Sequence, residues 1–228
     1  NITLLDKNNR ASFSVTYNDD WQCVTDGYGR TLQLLSPTSI PNVSTSWIAS
    51  CMKGSPGTAY VPCNENPIYS EVNYNSSSSQ DAGDWFEIHN KTNSGISLGG
   101  WKLKNENNSQ VYTFPSGYML FGQSHLVIYS DAIKFNSQFP TVFNKLGPTG
   151  FGLSSGSDVI RLYDASNILR YSFCYSSQSP WPQTPNGQGY TLENGQYNGN
   201  INSAASWFAG CPEGSPGMTY NANCFPLT

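Results

Sequence analysis

The densest group of residues able to do chemistry is a set of four carboxylates, Glu71, Asp81, Asp84 and Glu87. Hard oxygen ligands from adjacent strands and the loop between them suit Ca²⁺. Calcium is accordingly the one cofactor the sequence suggests. The plainer and favoured reading is that these residues cap loops and close solvated strand ends. A glycosidase-like carboxylate pair would need an aromatic-lined cleft, which nothing in the sequence supplies. His89 and His125 have no nucleophile beside them, and no G-x-S-x-G elbow occurs. Cys23 and Cys174 have no adjacent histidine. No residue is therefore expected to be catalytic. Zinc is not indicated either, because no C-x-x-C pair is present and the two histidines lie apart.

Binding is the remaining chemistry. Trp21 and Trp181 fall in predicted loops, accompanied by Tyr17, Tyr28, Tyr190 and Tyr197. Trp21, Trp181 and Tyr190 are the candidate contact residues, and a carbohydrate is the ligand such a surface would suit. Trp47, Trp85, Trp101 and Trp207 are expected instead to be core anchors with their N–H groups bonded to backbone. The Asn-x-Ser/Thr triplets at Asn1, Asn42, Asn75, Asn90 and Asn107 follow from an Asn- and Ser-rich composition.

That composition narrows the function classes. Charged residues make up 11% of the 228, with a net charge of −4, and the 11 Lys and Arg never form a run. A nucleic-acid footprint is absent on that count. No apolar stretch approaches the ~20 residues that span a bilayer. Aromatic residues reach 14%, enough area to bury that a disordered chain is not expected. Six cysteines fit an oxidising, extracellular compartment. The chain begins at Asn1 without Met and reads as a piece of a longer secreted precursor.

The elements that must position these residues are organised by an internal repeat. "NITLLDKNNRASFSVTYN" at the start aligns with "VIRLYDASNILRYSFCYS" at a constant offset, matching Leu4 to Leu162, Asp6 to Asp164, Asn9 to Asn167 and Tyr17 to Tyr175. After a short insertion Trp21 matches Trp181, "GYGRTL" matches "GQGYTL", "SWIASC" matches "SWFAGC", and "GSPG" recurs at 54–57 and 214–217. Cys51 and Cys63 thereby match Cys211 and Cys224, each pair enclosing a "GSPG" turn. Disulfides Cys51–Cys63 and Cys211–Cys224 are predicted. Cys23 and Cys174 occupy non-equivalent positions and are either free or joined across the repeats. The segment 67–158 occurs only once. Between these landmarks run short alternating segments: "DWFEIHN", "GWKLKN", "SHLVIYSD", and a hairpin made by "SDVIRLYD" and "ILRYSFCYS". "SDAIKFNSQFP" is the one predicted helix, capped by Ser130 or Asp131 and stopped by Pro140. The pattern indicates an antiparallel β-sandwich.

The unrepeated segment and its continuation resemble the lamin tail domain family, and within it the bacterial secreted branch. The resemblance rests on "DWFEIHN", on "LGGWKL" (with Gly99 where Ser is more usual), on "FPSG", on "GLSSGSDVIRLYD" and on the closing "W…GSPG". It covers 67–217 almost continuously and 1–57 a second time. It implies an all-β, immunoglobulin-like sandwich used for interaction or spacing, of the kind found beside secreted nucleases, phosphatases, coat-protein-like kinases and adhesion modules. The expected layout is the C-terminal half of a first domain at 1–65 and a complete domain at 66–228. The expected function is a non-catalytic structural or protein-interaction module of a larger secreted or cell-surface protein. The alternative is a carbohydrate-binding accessory domain attached to a secreted enzyme. Expected partners are other modules of the same polypeptide, neighbouring surface proteins, or a chain exchanging strands through 1–63, with no nucleic acid and no membrane insertion. A half-domain at 1–63 would expose Ile2, Leu4, Phe13, Val15, Tyr17 and Leu32 along with unpaired strand edges. Its missing half is expected upstream, over roughly another 90 residues by analogy with 67–158. Supply by another subunit, or packing of 1–63 onto the complete copy, are the alternatives.

Overall fold

The computed structural model describes residues 1–224, so the last four residues of the second expected domain lie outside the described residues. The chain forms two compact units, Asn1–Cys63 and Asn64–Thr228.

The larger unit contains strands β5 (Ile68–Asn73), β6 (Trp85–His89), β7 (Ile96–Ser97), β8 (Lys102–Lys104), β9 (Val111–Thr113), β10 (Met119–Leu120), β11 (His125–Tyr129), β12 (Lys145–Leu146), β13 (Ser157–Tyr163), β14 (Leu169–Ser176), β15 (Tyr190–Asn194) and β16 (Trp207–Pro212), with helix α1 (Ala132–Gln138) between β11 and β12. Six strands form one sheet in the order β12-β11-β6-β5-β15-β16, and four form a second in the order β14-β13-β8-β9. Every pairing is antiparallel except β11 with β12. This is the all-β, immunoglobulin-like sandwich expected from the sequence.

Alternation along the strands sends one set of side chains between the sheets. Tyr69, Val72, Phe86, Ile88, Leu126, Ile128 and Leu192 meet Leu103, Ile160, Leu162, Phe173 and Tyr175 in a single core. Buried rings set its geometry: Tyr69 stacks on Phe173 at 5.1 Å, and Tyr74 on Tyr175 at 4.5 Å. The Trp207 indole N–H donates to Ile201 O at 2.7 Å, the backbone anchor expected of a core tryptophan. Trp85 departs from that expectation. It is buried on the opposite face of its sheet, edge-on to Phe135 and Phe139 of the helical segment, and its N–H has no partner among the described residues. Asp131 caps α1 by accepting the Ile133 and Lys134 N–H groups. The helix covers part of the sheet's second face, with Phe135 and Phe139 packed in one cluster with Trp85, Val127 and Tyr129.

The smaller unit contains β1 (Ile2–Leu5), β2 (Ala11–Val15), β3 (Arg30–Leu34) and β4 (Trp47–Met52), paired as β1-β2 and β3-β4. Its hairpins keep the registers of the larger unit. Ile2↔Val15, Thr3↔Ser14, Leu4↔Phe13 and Leu5↔Ala11 correspond to Ile160↔Phe173, Arg161↔Ser172, Leu162↔Tyr171 and Tyr163↔Leu169, with the same irregularity after the third pair. Leu32↔Ala49, Gln33↔Ile48 and Leu34↔Trp47 correspond to Leu192↔Ala209, Glu193↔Phe208 and Asn194↔Trp207. The turns agree as well. Asn9 and Asn167 take left-handed φ values of 61° and 63° in loops closed by Asp6 and Asp164. Asparagine tolerates that conformation better than most side chains.

Cys51–Cys63 and Cys211–Cys224 are bonded, at Cα separations of 5.4 and 5.3 Å. Cys23 and Cys174 are disulfide-bonded too, so the alternative that they are free is set aside. Peptide mapping without reduction is expected to return the Cys51–Cys63 and Cys211–Cys224 peptides. The double change Cys211→Ser with Cys224→Ser should lower unfolding free energy by about 3 kcal/mol, measured by urea denaturation, because the bond closes a short loop.

Candidate functional site

The ionisable groups collect on the second face of the six-stranded sheet, beside the patch that α1 covers. Register puts Glu71 opposite Glu87 on β6 and opposite Glu193 on β15. It also puts His125 of β11 opposite His89 of β6. The segment that follows β16 lies over them. Exposure falls to 0% for Glu71, 1% for Glu87, 3% for Glu193 and 7% for His125. Three carboxylates in so dry a place need partners. Glu87 Oε1 accepts the Ser70 hydroxyl at 2.6 Å and lies 2.6 Å from His125 Nδ1. Its Oε2 accepts Gly217 N–H at 2.6 Å. Ser215 N–H donates to Glu71 at 2.9 Å, while its hydroxyl donates to Glu193 at 2.7 Å. The "GSPG" turn is thus held by its own N–H and O–H groups onto carboxylates of three strands. Gly214, at φ +83°, presses so close to Glu71 and Thr191 that a Cβ there would collide with both.

The electrostatics follow from burial. Burial, reinforced by the charges of Glu193 and Glu87, holds the Glu71 carboxyl well above the usual carboxylate range. Burial pushes Glu193 up to about 7. Both carboxyls therefore hold their protons to higher pH than free ones, as close buried carboxyls do. His89 stacks on His125 at 4.1 Å, and burial together with that neighbour pushes it down to about 4. The cluster has the groups of an acid–base centre, and all of them are buried.

The four carboxylates expected to share an ion are divided. Glu71 and Glu87 belong to the buried cluster. Asp81 and Asp84 line an open cleft of about 580 Å³ with Ser76, Ser78, Asp131 and Lys134. Asp81 pairs with Lys134 Nζ at 2.6 Å, and Asp84 accepts Leu153 N–H at 2.8 Å. Burial raises Asp84 to about 6. Among the described residues no three of His, Cys, Asp and Glu are disposed to hold a metal ion. Of the four carboxylates considered for calcium, Glu71 and Glu87 thus lie under the "GSPG" turn and Asp81 is held by Lys134.

Trp21 and Trp181, expected in exposed loops, are half-buried. Trp21 packs on Trp47 at 6.3 Å, and Trp181 lies against Phe173 and Trp207 at the margin of the core. Tyr190 is half-buried as the first residue of β15. Sequence reading missed Glu193, His125 and Ser215 as members of the cluster. The available signal was the alternation of "YTLEN", which sends Leu192 to the core and Glu193 to the opposite face.

Residues 63–177, just over half of the chain, match the lamin tail domain family. No curated protein matches the chain.

Two consequences can be measured. In the folded protein Glu193 keeps its proton up to about pH 7, and Glu71 is raised in the same direction, whereas an unfolded carboxyl releases its proton near 4.5. The folded state binds more protons in that window, so this pair's contribution falls as pH rises through it. His89 acts oppositely: its stabilising contribution is present above about 6.5 and is lost as pH falls toward about 4. Glu193→Gln should remove Glu193's part of the loss on the alkaline side and leave that of buried Glu71, raising stability at pH 8 relative to pH 4.5 by on the order of 2 kcal/mol in urea titrations. The amide fits, because Gln33 already accepts from Ser55 at 2.8 Å at the matching position of the smaller unit. Gly214→Ala should cost about 2 kcal/mol and shift the thermal midpoint downward, through both the collision and the positive φ.

Proposed function

The chain belongs to the lamin tail domain family, and on that premise we propose that it is a non-catalytic, extracellular structural or protein-interaction module of a larger secreted or cell-surface protein. The observation that carries this reading is the fate of its acid–base groups. Glu71, Glu87, Glu193 and His125 are sealed beneath the "GSPG" turn and spend their hydrogen bonds on the fold itself. A catalytic set needs a reachable acid or base beside a nucleophile or an activated water. The open cleft offers Asp84 and the Asp81–Lys134 pair, with no histidine or cysteine lining it.

The compartment follows from the same chemistry. All six cysteines are in disulfides, which persist in oxidising surroundings. We place the chain in the family's secreted bacterial branch on the strength of its "DWFEIHN", "LGGWKL" and "GLSSGSDVIRLYD" segments.

The full chain is expected to release no product from panels of phosphomonoester, phosphodiester and glycoside substrates, and to stay silent on a glycan array. Turnover that disappears in Asp84→Asn would overturn the non-catalytic reading. Saturable glycan capture lost in Trp181→Ala would replace it with the carbohydrate-binding one.

A further inference from the structure

The smaller unit keeps the strand registers of the closing part of the larger one, and several matching positions meet opposite surroundings, while Val15, expected on the exposed face, is buried at 4% like its counterpart Phe173. Ile160 and Leu162 on β13 are each 1% exposed, while their counterparts Ile2 and Leu4 on β1 are 58% and 63% exposed. Tyr175 is 1% exposed beneath Tyr74, whereas its counterpart Tyr17 is 46% exposed. Leu5 and Phe13 add to this apolar surface. Four neighbouring large apolar side chains on one short hairpin are more than scattered surface hydrophobes.

The strand edges tell the same story. In the larger unit β13 is paired on both sides, by β14 and by β8, with Arg161↔Lys104, Leu162↔Leu103 and Tyr163↔Lys102. β15 likewise lies between β16 and β5, with Leu192↔Val72 and Glu193↔Glu71. In the smaller unit, among the described residues, β1 pairs only with β2, and β3 only with β4. The edges left open are those that β8 and β5 fill in the larger unit. Open edges beside an apolar face are a template for added strands.

We propose that residues 1–63 are a docking surface for the opening half of a lamin-tail-like domain, a polypeptide resembling residues 64–156 but distinct from this chain's own copy. Its counterpart of β8 lies antiparallel along Thr3, Leu4 and Leu5. Its counterpart of β5 lies antiparallel along Leu32 and Gln33. Its inward apolar side chains cover Ile2, Leu4 and Tyr17 as Tyr69, Tyr74, Phe86 and Leu103 cover Ile160, Leu162 and Tyr175. The occupant is identified by the larger unit, where the same registers already hold that half in place. This deepens the interaction reading but does not rest on it, since the repeat and the open edges stand whatever the module's wider role.

The test uses the full chain and a version in which residues 64–156 are duplicated ahead of Asn1. Hydrogen exchange is read at the amides of β1 and β3, together with dye binding to exposed apolar surface and solution mass. The intact chain is expected to be monomeric, with β1 and β3 exchanging fast and dye bound. In the duplicated version these amides should slow by about tenfold or more and dye binding should fall. Ile2→Asp with Leu4→Asp should reverse both effects while leaving exchange in β13 and β15 unchanged. Fast exchange that persists in the duplicated version would overturn the proposal. So would protection of β1 and β3 in the intact chain: at monomeric mass it would assign the cover to the larger unit, and at dimeric mass to a second copy.

Discussion

Pairing of β5 with β15 sets Glu71 across from Glu193 on a sheet face that the rest of the molecule keeps dry. Two carboxyls so placed cannot both be charged without a large penalty. They are tolerated because Ser215 gives one an N–H and the other an O–H. That bridge requires the turn after β16 to fold back over the sheet. The fold-back requires glycine at 214, where a side chain has no room. His125 and Gly217 complete the closure by holding Glu87. Another part of the same face is closed by ordinary apolar packing under α1. One sheet thus has two dry faces, one filled with aliphatic and aromatic groups and the other partly with a bonded polar network. Such networks stabilise only when every member is satisfied.

Much of the sandwich was legible in the sequence. Alternation separated Phe86 and Ile88 from Trp85, Glu87 and His89. The segments "SDVIRLYD" and "ILRYSFCYS" marked the β13–β14 hairpin, and of the two cap candidates, Ser130 and Asp131, the helix uses Asp131. What misled was the second half of the alternation rule. A strand that alternates apolar and polar residues usually turns the polar set to water. Here that set is covered by chain lying more than 120 residues further on, at 213–217, and by a helix that follows β11. No local pattern around Glu71 announces a distant cover. The expected calcium ligands were chosen by nearness along the chain, whereas register groups Glu71 with Glu87 and Glu193 and leaves Asp81 to Lys134.

The tryptophans carry a similar lesson. Trp47 and Trp207 donate to Pro41 O and Ile201 O at 2.7 Å each, as anchors should. Trp181 stands in a loop by sequence yet is drawn against Phe173 and Trp207, because loops over a sandwich end can pack onto its core margin. Neutral polar composition conceals such packing, since Ser, Asn and Gly neighbours suit an exposed turn and a tight one equally well.

The Cys211–Cys224 bond gains a further meaning if the module is strung in a chain under tension. β16 is the edge strand of the six-stranded sheet, and the turn that seals the carboxylates lies wholly between the two cysteines. A pull applied beyond Cys224 passes through sulfur directly to Cys211 and into the β15–β16 ladder, bypassing residues 212–223. The seal over Glu71, Glu87 and Glu193 therefore bears no force until the edge strand itself is sheared from its neighbour. Under such a load the covalent clip would act as a strain relief, keeping the buried carboxylates and their cover out of the mechanical path.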